Sequence, residues 1–203
     1  MSCGTLAAFE FSKVVDLRVG RLVVALVALI AGIVLPNAGA GAEDLPVYDP
    51  RIAAVLDQLD AVPATNQLRG ALAASRVEVR FVPMTAGVYA HYAVAPHVIE
   101  IDERWSDADT STLAAVIAHE ATHAQDAVSG YLASGGAAAC IDSEVRAFRI
   151  SALFWISKYG VEGKPEANSE LDRQLNSIAE RQLRDPSGLE ALVRHTYSKQ
   201  CSH

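Results

Sequence analysis

Ala114-Ala115-Val116-Ile117-Ala118-His119-Glu120-Ala121-Thr122-His123-Ala124-Gln125-Asp126 is the stretch on which the reading of this chain turns. Five small or apolar residues lead into two histidines, as expected of a buried helix. His119 and His123 stand four residues apart, which places both imidazoles on one helix face, one turn from each other. Glu120 flanks that face. Burying two imidazoles and a carboxylate without partners costs several kcal/mol, on the order of 2–7 for each neutral polar group. A divalent cation removes that cost. The pattern H-E-x-x-H on a helix is therefore predicted to hold zinc through His119 and His123, with Glu120 as the base that takes a proton from an activated water.

A catalytic zinc usually has three protein ligands and one open position. The third is expected downstream, and Glu144 is the leading candidate. It is predicted to open a helix over about Ile141–Tyr159, after a Gly-Gly-Ala loop at Gly135–Ala139. Ala147 and Ser151 continue its face and are small enough for close packing on the motif helix. Asp142 is a rival ligand. Asp126, about one turn beyond His123, is better placed as a hydrogen-bond acceptor for a ligand imidazole than as a ligand.

Working outward, the motif helix is predicted over Thr110–Val128, capped by Asp107 or Asp109 and stopped at Gly130. Before it, Val77, Val79 and Phe81 alternate with Arg76, Glu78 and Arg80, a half-buried strand. Val88–Val94 and His97–Asp102 are two further strands, with Pro96 between them. Upstream lie two helices, one started by Asp49-Pro50 and one over Thr65–Ala74. Downstream, Asn168 or Ser169 caps a helix to about Leu183, and Asp185-Pro186 starts another to about Lys199. The order is two helices, a small sheet, then four helices, an α+β chain. Trp105 and Trp155 are expected as core anchors.

The N-terminal residues 1–42 are predicted to be a secretory signal. Lys13, Arg18 and Arg21 precede the unbroken apolar run Leu22–Leu35, and Ala38-Gly39-Ala40-Gly41-Ala42 supplies an A-x-A cleavage site. The alternative is a retained N-terminal membrane anchor, the only membrane contact expected. Residues 43–203 then form one domain in an extracytoplasmic or secreted protein. Three cysteines are present, Cys3 in the leader. Cys140 and Cys201 permit one intramolecular pairing in an oxidising compartment, and a disulfide between them is predicted. The net charge of −7 argues against nucleic acid as a partner, because phosphate binding needs a basic face.

H-E-x-x-H followed by a helical E-x-x-A, Glu144 to Ala147, resembles the gluzincin group of zinc metallopeptidases, over about Ser111 to Trp155. The resemblance implies a zincin-like α+β domain, with a small antiparallel or mixed sheet packed on the motif helix and a helical C-terminal part. It implies Zn2+ held by His119, His123 and Glu144, Glu120 as general base, and a peptide or protein substrate. It also implies a strand, taken as His97–Asp102, that edges the cleft and pairs with substrate backbone. The chain departs from the pattern where some gluzincins carry a carboxylate to orient a ligand histidine: Phe148 stands there. Asp126 stands where the metzincin extension has glycine. Transition-state stabilisation is expected from His195 or Tyr197, with Tyr89, Tyr92 and Arg146 as further candidates. The competing reading is a non-catalytic exported zinc-binding module or pseudo-peptidase.

Overall fold

A computed structural model describes residues 5–7, 46 and 48–202. The predicted signal falls outside the described residues except for Thr5–Ala7, and no described helix is long and apolar enough to cross a membrane. The chain is α+β, with six α-helices among the described residues packed around a small mixed sheet.

Helix α1 (Pro50–Asp60) begins as read: Asp49 accepts the amide of Arg51, and proline sits in the first turn where its missing N–H costs nothing. It buries Ile52, Val55, Leu56 and Leu59 along one stripe. Helix α2 (Leu68–Ala74) starts three residues later than predicted. The hydroxyl of buried Thr65 donates to the carbonyl of Leu59, so residues before α2 form a turn that closes the end of α1.

Among the described residues the strands, in chain order, are β1 (Thr5–Ala7), β2 (Glu78–Val82), β3 (Val88–Ala93) and β4 (Val98–Asp102). The sheet order is β1-β3-β4-β2. Strands β2 and β4 run parallel, and β3 runs antiparallel to β4. Register places Val79 beside Ile99, and Ala90 and Tyr92 opposite Ile101 and Ile99, forming the apolar face that packs on the helices. Arg80, His91 and Glu100 line the other face, where Glu100 pairs with both neighbours. Three-residue β1 adds antiparallel to the outer edge of β3.

The expectation that His97–Asp102 edges a cleft is overturned. β4 is an inner strand, bonded on both sides, and β3 is its antiparallel neighbour toward the outer edge. Four of the five residues of β4 are buried, as an inner strand requires.

Helix α3 (Thr110–Val128) carries the H-E-x-x-H motif and is the centre of the fold. Asp109, not Asp107, caps it by accepting the amide of Ser111. Every residue from Ser111 to Ala124 is buried, because α1, α2, the sheet, α4 and α5 surround it. Helix α4 (Tyr131–Tyr159) is the principal partner of α3. The loop predicted at Gly135–Ala139 is a single kink at Gly136, whose φ of 56° lies in the left-handed region. The alanines after it continue as helix, as alanine prefers. Glu144 therefore lies well inside α4 and does not open it. The close approach read from Ala147 and Ser151 is present: Ala147 is buried, and the Ser151 hydroxyl donates to the carbonyl of Ala115 at 2.9 Å.

Helix α5 (Glu170–Arg184) starts with a reciprocal capping box between Ser169 and Asp172. Helix α6 (Pro186–Tyr197) is capped by Asp185. Trp155 is fully buried, as expected, whereas Trp105 is partly exposed and stacks edge-on against Tyr89. Cys140 and Cys201 are disulfide-bonded, with Cα atoms 5.6 Å apart, a pairing compatible with an extracytoplasmic location.

Asp172 also ties α5 to α3. Its carboxylate accepts from the Thr112 hydroxyl at 2.6 Å and from Lys164 Nζ at 3.1 Å. Burial alone raises its pKa, but the Thr112 and Lys164 bonds outweigh burial and hold it below the usual carboxylate range. A depressed folded-state pKa stabilises the fold above the unfolded value near 4, and that share is lost as pH falls through the folded value. Asp172→Asn is expected to cost about 1–3 kcal/mol at pH 7 and to flatten the acid limb of stability. Urea midpoints measured from pH 7 to pH 3 check this; parallel curves for variant and wild type would contradict it.

Candidate metal centre

Three donor atoms meet between α3 and α4. His119 Nε2 and His123 Nε2 lie 3.2 Å apart, and Glu144 Oε2 lies 3.5 Å and 3.6 Å from them. Tetrahedral zinc with bonds of ~2.1 Å separates its ligand atoms by about 3.4 Å. The three spacings match that edge length. His119, His123 and Glu144 form a buried group able to hold a metal ion, the one such group among the described residues. All three, and Glu120, are fully enclosed.

Helix geometry explains the meeting. One turn of α3 separates the two imidazoles, whose rings sit edge to face with centroids 5.0 Å apart. The small residues Ala147 and Ser151 bring α4 close enough for Glu144, one turn before Ala147, to face them. Among hydrogen bonds, neither oxygen of Glu144 has a partner, nor does Nδ1 of His119. Buried carboxylate oxygens in that condition are costly, and a cation between Glu144 and the two Nε2 atoms would supply what is missing there.

The electrostatics agree. Burial drives the His119 imidazole down to about 4, and contact with Glu144 only partly offsets it. Burial also pulls His123 down, but the charges of Glu144, Glu120 and Asp126 outweigh it and leave His123 above its usual value. For Glu144, burial pushes upward, yet the two imidazoles prevail and hold the carboxyl down to about 2. The pocket thus keeps its glutamate ionised and its His119 imidazole neutral, the forms in which both can bind a metal. Glu120 belongs to this field, since its carboxylate is felt at His123.

Other predicted residues divide. Tyr197 is buried and its ring stacks edge-on against Phe148 at 5.7 Å; Phe148 in turn packs edge-on against His119 at 4.7 Å. Tyr197 therefore stands one ring removed from His119. His195, two residues earlier, is on the exposed side of α6 and is not brought to the site. Tyr92 is committed to His97, its hydroxyl 2.7 Å from Nδ1, and Tyr89 packs on Trp105. The rival ligand Asp142 turns away, pairing with Arg194 at 2.8 Å and accepting from the Tyr131 hydroxyl. Asp126 is an acceptor near the site, as read, but it meets His123 through Ser143 and not directly. Sequence reasoning missed Ser143, because no spacing rule links it to a histidine 20 residues away on another helix. No family model matches the chain, and neither a curated protein nor a solved structure does.

Proposed function

We propose that this chain is a metal-dependent hydrolase. Within that class we read it as an exported zinc peptidase acting on extended peptide. One observation carries the reading: two imidazoles and a carboxylate at tetrahedral ligand spacing, beside a fourth buried side chain, Glu120, able to accept a proton.

Zinc, when bound, supplies a Lewis acid that lowers the pKa of a water to ~7 and polarises the scissile carbonyl. His119, His123 and Glu144 would hold it. Glu120 takes the proton of the attacking water and returns it to the leaving nitrogen, acting as base and then acid. For the developing oxyanion Tyr197 is the nearer candidate, one ring from His119, and His195 faces solvent. Strand addition moves from β4 to β3, the strand beside α3 whose outer edge already accepts the extended backbone of Thr5–Ala7. Removal of residues 1–42 on export takes β1 with it and leaves that edge bare for substrate.

Purified protein is expected to carry about one zinc per chain by elemental analysis. His123→Ala and Glu144→Ala are expected to reduce this to near zero and to abolish peptide hydrolysis. Wild-type protein that takes up no zinc would end the reading.

The complete enclosure of the four side chains supports a second reading, a non-catalytic exported module with a buried metal. Cobalt-substituted protein separates the two. Small anions such as azide shift the visible spectrum of an open metal and leave a sealed one unchanged.

A further inference from the structure

We propose that Ser143, Asp126 and Arg146 form a positioning relay that fixes the tautomer of His123 and aims its Nε2 at the metal. The inference rests on the reading that His119, His123 and Glu144 hold zinc.

The relay is read from its hydrogen bonds. Ser143 Oγ lies 2.8 Å from His123 Nδ1 and 2.5 Å from Asp126 Oδ2. Arg146 Nη2 lies 2.6 Å from the same Asp126 oxygen. Ser143 is fully buried and Asp126 nearly so, so no bulk water competes for these groups. A hydroxyl has one proton to give. The Asp126 carboxylate, held against a guanidinium, is an acceptor, so the serine proton goes to Asp126. The serine oxygen is then left to accept, and His123 Nδ1 must carry the hydrogen that it accepts. Nε2 is thereby bare and faces His119 and Glu144, which is the tautomer a metal ligand needs.

The two ligand histidines are positioned by different means. His119 Nδ1 has no hydrogen-bond partner, and its ring is held by packing against Phe148. His123 is held by hydrogen bonds. Chain order makes the device economical, since Ser143 immediately precedes Glu144 and Arg146 follows two residues later. A single turn of α4 therefore delivers the third ligand together with two relay members. Arg146 is itself seated over the ring of Tyr131, 4.4 Å from its centroid, which fixes the solvent end.

The test compares zinc affinity and the visible spectrum of cobalt-substituted protein in the full chain. Ser143→Ala is expected to weaken zinc about 10–100-fold, the usual range for losing a partner of a ligand histidine, and to alter the cobalt bands. Ser143→Thr, which keeps the hydroxyl, is expected to restore most of the affinity and the wild-type bands. A purely structural role for Ser143 predicts a change in thermal stability with the cobalt spectrum unmoved. Arg146→Gln, at the half-exposed end, is expected to weaken zinc several-fold and keeps the test available should Ser143→Ala fold poorly. Wild-type affinity and spectrum in both Ser143→Ala and Arg146→Gln overturn the relay alone. A wild-type chain that binds no zinc overturns the metal reading as well.

Discussion

Glu120→Gln is expected to bind zinc as tightly as the wild type and to lose about 10²–10⁴ of turnover, the range a general base contributes. The reasoning starts from what the substitution leaves alone. Gln keeps the shape and volume of Glu, and residue 120 is not among the three donors that meet between α3 and α4. The amide, however, cannot accept a proton from water at neutral pH. Loss of turnover with metal retained separates a catalytic from a merely structural site. Zinc content and initial rates on an unstructured protein such as casein provide the measurement. A Gln variant that cleaves as fast as wild type would exclude the mechanism, and equal silence in both would favour the sealed, non-catalytic module.

Replacing both cysteines, Cys140→Ser with Cys201→Ser, is expected to cost about 4 kcal/mol. The pair closes a loop with a sequence separation of 61, and in the chain-entropy account such a crosslink removes that much freedom from the unfolded state. For a domain of this size the loss corresponds to a fall in Tm on the order of 10 °C. The effect should reach the metal centre too. Cys201 lies four residues after Tyr197, whose ring rests on Phe148 and through it on His119. Calorimetry of the double variant, with reduced wild type as a second route to the same state, provides the check. A Tm within a degree or two of wild type would show that the crosslink is ornamental.

Much of the fold was legible because its signals are local. Asp49, Asp109, Ser169 and Asp185 each cap the helix they were expected to cap or neighbour, since a cap depends on a few adjacent residues. The three clustered donors were legible for a similar reason: one helical turn relates the histidines, and an acidic residue on the next helix completes the set. Strand order was not legible. Alternation tells which face of a strand is buried but not which strand lies beside it; the resemblance alone implies an edge at His97–Asp102, and β4 is an inner strand. Its near-continuous burial had a trace in Val98-Ile99 and Ile101, which face both layers. Helix extent at Gly135–Ala139 was misread because two adjacent glycines suggest a loop, whereas only Gly136 departs from helical backbone. The Ser143 relay joins residues on two helices, and nothing in local spacing marks a serine as the bridge between an aspartate and a histidine 20 residues away.

The enclosure of α3 on all sides has a dynamic meaning. Backbone amides of so enclosed a helix are expected to be among the slowest to exchange with solvent, which native-state hydrogen exchange would check. Two of the three donors are thus mounted on the most enclosed helix, and the helix that carries the third is tied to it through the Ser151 hydroxyl. On that packing, fluctuations at the sheet edge or along α6 are expected to leave the two imidazoles in register.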